Sequence, residues 1–105
     1  MDYSTYHWDL MQEMDGDMHA KWKELASAVN RDEVLPPKYR ELITCGMAYV
    51  LKSKPAISTH TKLAMEKYGA TKEEVFTVLT LALLIGGAHS YRESCLELEE
   101  YLSKK

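Results

Sequence analysis

Apolar residues recur at helical rather than alternating spacing along most of the chain, and strand signals are nearly absent. The segment YSTYHWDLMQEM predicts a short first helix, broken at Asp15-Gly16-Asp17. From Asp17 to about Val29, the residues Met18, Trp22, Leu25 and Val29 share one face of a second helix. Asn30 to Leu35 reads as a polar connection. Pro36-Pro37 then opens a third helix, because proline is tolerated where the first amides have no helical partner. That helix carries Tyr39, Leu42, Ile43, Met47, Val50 and Leu51 and ends near Lys52. Ser53 is the expected cap of a fourth helix, with Pro55 in its first turn, and Gly69 is its expected stop. Thr71-Lys72-Glu73-Glu74 has the pattern of a capping box, with Thr71 as N-cap and Glu74 reaching back. The helix it starts ends or breaks at Gly86-Gly87, and SYRESCLELEEYLSKK makes a last amphipathic helix with lysines at its negative end. The sum is an all-α fold of five or six helices.

The helix after Thr71 is apolar on nearly every side: Val75, Phe76, Val78, Leu79, Leu81, Ala82, Leu83, Leu84 and Ile85. A helix of this kind must be enclosed, and a chain of 105 residues has few helices with which to enclose it. A homo-oligomer is therefore expected, with a second subunit covering the remaining side.

Length predicts a single domain over residues 1–105, and a hydrophobic content of 46% is ordinary for a globular protein. A net charge of −3 gives no electrostatic case for nucleic acid. MDYSTYHWDL lacks the basic and apolar regions of a signal peptide. The most apolar run, VFTVLTLALLIGGA, is shorter than the roughly 20 residues a membrane span needs. A cytoplasmic protein without membrane partners is the expectation. Cys45 and Cys95 are far apart and match neither a zinc site nor a CxxC pair, so they read as small buried hydrophobes. His7 and His19 lack ligand spacing, and no metal site is expected. Lys38, Arg40, Lys62 and Arg92 read as solvated surface.

From Leu35 onward, PPKYREL leading into a helix, HTKLAMEKYGATKEEV, and an apolar helix ending in Gly86-Gly87 follow in an order that resembles one family. The stretch, roughly residues 35 to 91, is similar to carboxymuconolactone decarboxylase-like domains, the group that includes the alkylhydroperoxidase D-like proteins. The resemblance implies an all-α fold that assembles as trimers or hexamers. In the thiol branch of that family the pattern is E-x11-C-x2-C-x3-H. Laid onto this chain, its glutamate falls on Glu41, its cysteines on Ser53 and Ala56, and its histidine on His60. One residue more than the usual length lies between His60 and Gly69. Peroxidase or disulfide chemistry needs a thiolate and a resolving thiol, and Ser53 and Ala56 supply neither. The decarboxylase branch resembles this chain in having a histidine here without the CxxC pair.

What the resemblance leaves is a carboxylate and an imidazole, Glu41 and His60, on two adjacent helices. A carboxylate fixes the tautomer of an imidazole and raises its basicity, which makes the pair a proton-transfer device. The catalytic candidates are thus Glu41 and His60, acting by lyase-type acid–base chemistry on a small carboxylated or carbonyl compound, with no obligatory cofactor. Cys45, one turn after Glu41, is a candidate for lining the same pocket, and His89 for bordering it through a helix end. Two alternatives stand beside this one: a thiol antioxidant using the lone Cys45, and a non-catalytic family member serving as a binding or assembly module.

Overall fold

The computed structural model describes residues 4–31 and 34–104. Two compact units divide it, residues 1–33 and 34–105. Asp32, Glu33 and Lys105, and with them part of the predicted polar connection and the final lysine, lie outside the described residues.

The first unit is a pair of helices, α1 (Tyr6–Met14) and α2 (Gly16–Val29). The break falls where expected, and Asp15 makes it: its carboxylate accepts the Met18 amide at 3.0 Å and so caps α2. The two helices meet through Trp8 and Trp22, whose rings stack with centroids 5.0 Å apart.

The second unit carries α3 (Pro37–Leu51), α4 (Lys54–Lys62), a π-helical turn (Leu63–Lys67), α5 (Lys72–Gly86) and α6 (Ala88–Ser103). Its core is built from Leu42, Cys45, Ala48 and Tyr49 of α3, Ile57 of α4, Ala64 and Ala70, Val75, Leu79 and Ala82 of α5, and Leu98 of α6. Helix α3 is the axis of this unit and packs on α4, α5 and α6. Among the described residues the fold is all-α.

Three local signals act through their expected groups. Thr71 Oγ1 accepts the Glu74 amide at 3.0 Å while Glu74 Oε1 accepts the Thr71 amide at 2.9 Å, a complete capping box. Gly87, at φ 91°, ends α5 and starts α6 in a backbone conformation that L side chains rarely adopt. Gly69, at φ 74°, lets the Ala70 amide turn back to the Ala64 carbonyl at 2.9 Å.

Two expectations change. Ser53 does occupy the N-cap of α4, but its hydroxyl makes no capping bond. A cap hydroxyl serves the amide of the second or third helical residue, and the second here is Pro55, which has none. The fourth helix also does not run as one α-helix to Gly69, because it widens into the π turn after Lys62. A π turn takes up one residue more than an α turn over the same length. The turn lies within the interval from His60 to Gly69, where the resemblance implies one surplus residue.

Candidate functional site

Glu41 lies near the start of α3 and is only 2% exposed. A buried carboxylate is costly unless paired and hydrogen-bonded, and this one has two partners. Its Oε1 is 2.7 Å from Nδ1 of His60, on the last turn of α4. Its Oε2 accepts the Nε–H of Arg40 at 3.3 Å. An ionised carboxylate only accepts, so the ring nitrogen facing it is the donor, and the tautomer is assigned on that ground. Nε2 is then the nitrogen left for other work, on a side chain that is 32% exposed. Pinned through one nitrogen on a side chain that is partly exposed, the ring is arranged as a proton carrier.

Below the pair lies a buried polar thread. Tyr49, two turns after Glu41 on the same face of α3, has its hydroxyl 2.6 Å from Thr61 Oγ1, the residue after His60. Thr61 Oγ1 in turn donates to Cys45 Sγ at 3.7 Å. All three side chains are fully buried. With its proton directed at sulfur, Thr61 accepts from Tyr49. The thread fixes the register of α4 against α3, and with it the position of His60.

Cys45 therefore stands one turn from Glu41, as its spacing indicates, but inside the core. Burial, first of all, raises its pKa, and the neighbouring Glu41 charge adds to the rise against the lowering hydrogen bonds of Thr61 and Tyr49. A thiol that is both enclosed and held protonated is a poor nucleophile. His89 is placed elsewhere, exposed on the first turn of α6 with Nδ1 4.0 Å from Glu93 Oε1. It joins none of the contacts around Glu41. Cys95 is half-buried, and both cysteines are free.

Arg40 is the residue whose sequence expectation fails most clearly. It reads as solvated surface, yet its side chain is 17% exposed, bound to Glu41, with its guanidinium carbon 5.9 Å from the centroid of the Tyr68 ring. Tyr49 and Thr61 are further site residues that no motif in the sequence marks. The available signals were the i, i+4, i+8 stripe of Glu41, Cys45 and Tyr49 on one helix face and the adjacency of Thr61 to His60.

The opposite face of α3 is of another kind. Tyr39, Ile43, Met47 and Leu51 of α3, with Leu81 and Ile85 of α5, border an open apolar groove of about 780 Å³. All six are more than a third exposed. Among the described residues no cluster of His, Cys, Asp and Glu could hold a metal ion. No helix among them is long and apolar enough to cross a membrane.

Comparison with known proteins agrees with the architecture. The family model of the carboxymuconolactone decarboxylase family matches residues 16–100. A carboxymuconolactone decarboxylase family protein from Legionella pneumophila, solved as an apo crystal structure, superposes with a TM-score of 0.77 at 26% identity, over 92% of this chain and 88% of that one. No curated protein matches the sequence. A match over most of the chain, on a fold built around the same helices, settles the affiliation: the chain belongs to the carboxymuconolactone decarboxylase family.

Proposed function

We propose that the protein is an acid–base catalyst of the lyase type, acting on a small carboxylated or carbonyl-bearing compound through His60 with Glu41 as its partner. The observation that carries this reading is the 2.7 Å contact between a buried carboxylate and a partly exposed imidazole. In a decarboxylation the bond from carbon to the carboxylate breaks and carbon dioxide leaves. The electron pair stays behind as a dienolate, and a proton must be delivered to carbon. His60 delivers it from Nε2, Glu41 holds the ring and balances the imidazolium, and solvent returns the proton to His60. The step calls for no obligatory cofactor.

The test is release of carbon dioxide from a panel of small lactone carboxylates and β-keto acids, comparing wild type with His60→Ala and Glu41→Gln. Loss of positioned general acid–base catalysis costs typically ~10²–10⁴-fold, so both variants should fall to background with helical content unchanged. Equal rates from wild type and His60→Ala would leave a binding or assembly role as the better account. The lone-thiol alternative draws no support from the buried, protonated Cys45.

The same proposal includes self-association, as a trimer or hexamer. Its support is the apolar face of α3 and α5, where Leu51 and Ile85 are each more than 70% exposed. Contiguous apolar surface of this kind on a small domain marks a contact face. Sedimentation velocity distinguishes an assembly from a monomer.

A further inference from the structure

His60 and Tyr68 are eight residues apart. On a continuous α-helix, eight steps of about 100° leave two side chains about 80° out of line. The π turn takes up one residue between them. The separation then behaves as about seven α-helical steps, which brings the two within about 20° of each other. Both thereby meet α3, and both meet the same pair of residues on it: His60 binds Glu41 Oε1, while the Tyr68 ring lies against the Arg40 guanidinium. Arg40 in turn holds the carboxylate oxygen that His60 does not use.

We propose that Arg40, seated on Tyr68 by the π turn, is a positioning residue that holds Glu41 Oε2 and shares the carboxylate's charge, so that His60 releases its proton instead of being locked in an ion pair. This rests on the acid–base reading of the site. The charge logic has a single direction. Beside an isolated carboxylate, an imidazolium is strongly retained. With a guanidinium already on the other oxygen, part of that attraction is cancelled and the direct repulsion between two cations adds to the effect. Among the described residues, the charged and titratable groups around the pair are Arg40 and, one turn along, Cys45 from α3, with Tyr68 from the end of the π turn and Lys67 beside it, whose Nζ lies 5.4 Å from the Tyr68 centroid. Burial holds Cys45 toward its neutral thiol, and of the two cations on the Tyr68 ring Arg40 is the one bound to Glu41, at 3.3 Å.

The test is long-range ¹H–¹⁵N NMR of the His60 ring across a pH titration, in wild type, Arg40→Gln, Arg40→Lys and Tyr68→Leu, with no substrate present. Removing a partly buried charge at this range should move the His60 midpoint upward by about half a pH unit or more in Arg40→Gln. Arg40→Lys, which restores the cation, should bring it most of the way back. Tyr68→Leu, which keeps the cation and removes its platform, should produce a smaller rise. An unchanged or lower midpoint in a folded Arg40→Gln protein overturns the proposal, as does a rise that Arg40→Lys fails to reverse. Because the readout needs no turnover, it separates the two readings. An inactive site with a shifted midpoint refutes the proposed chemistry alone, whereas an active site with an unmoved midpoint refutes the role of Arg40 alone.

Discussion

Replacing Tyr49 by phenylalanine removes one oxygen from a fully buried hydrogen bond of 2.6 Å. Thr61 then keeps only the sulfur of Cys45, a weak acceptor at 3.7 Å. The expected loss is about 1–2 kcal/mol, the range for removing one partner from a buried neutral hydrogen bond. Thr61→Val removes the other partner while preserving the branched shape. It strands the Tyr49 hydroxyl in the core, so about 1–3 kcal/mol is expected. The double variant is the informative one. With both oxygens gone, neither leaves an unsatisfied partner, and the combined loss should fall short of the sum by about 1–2 kcal/mol. Urea unfolding followed by circular dichroism, at one fixed protein concentration because assembly would shift the midpoint, measures all four corners of the cycle. Additivity within about 0.5 kcal/mol would refute the thread as the link that registers α4 on α3.

Other consequences follow from separate parts of the second unit. Thr71→Ala should cost about 1 kcal/mol, the usual value of a side-chain cap, read from the same unfolding curves. Glu74 is held below its ordinary value of 4.5, first by the Thr71 amide and then by Lys38. A depressed carboxylate contributes stability that is present above that ordinary value and lost as pH falls through the lower folded one. Glu74→Gln should therefore flatten part of the stability profile in acid, and an unchanged profile would exclude the box as its source. Leu81→Glu places a charge in the apolar groove and should shift sedimentation to the monomer with helical content retained; an unaltered assembly would put the contact face elsewhere. Cys45 should resist alkylation at about pH 8 in the native protein and react freely in urea, since burial holds it as a thiol. Rapid native labelling of Cys45 would revive the thiol alternative.

The all-α fold and most helix boundaries were legible where an element carries a local start or stop signal. The capping box, Gly69 and the Gly86-Gly87 pair are local devices whose chemistry is complete within a few residues. Ser53 shows the limit of such signals: its type suits a cap, but Pro55 removes one of the amides it would serve. The pairing of Glu41 with His60 came from family spacing, since periodicity alone places them only on two helices. Arg40 was misplaced for a related reason. A basic residue in a first turn looks solvated unless the partner across the helix interface is known, and that partner, Tyr68, is brought round by a π turn. The resemblance implies one surplus residue between His60 and Gly69, but it does not say where extra length is absorbed, and the π turn falls at Leu63–Lys67. The Tyr49–Thr61–Cys45 thread is likewise a contact between α3 and α4 that neither helix specifies by itself.

The most direct test of the account is decarboxylation run in deuterium oxide, using whichever panel compound wild type turns over. If His60 delivers the proton, the wild-type product carries one deuterium on a single face of the new carbon–hydrogen centre. His60→Ala then yields product only at the background rate and without facial preference. A His60→Ala protein that matches wild type in rate and stereochemistry, or a wild type that stays at background across the whole panel, would contradict the assignment of acid–base chemistry to this pair.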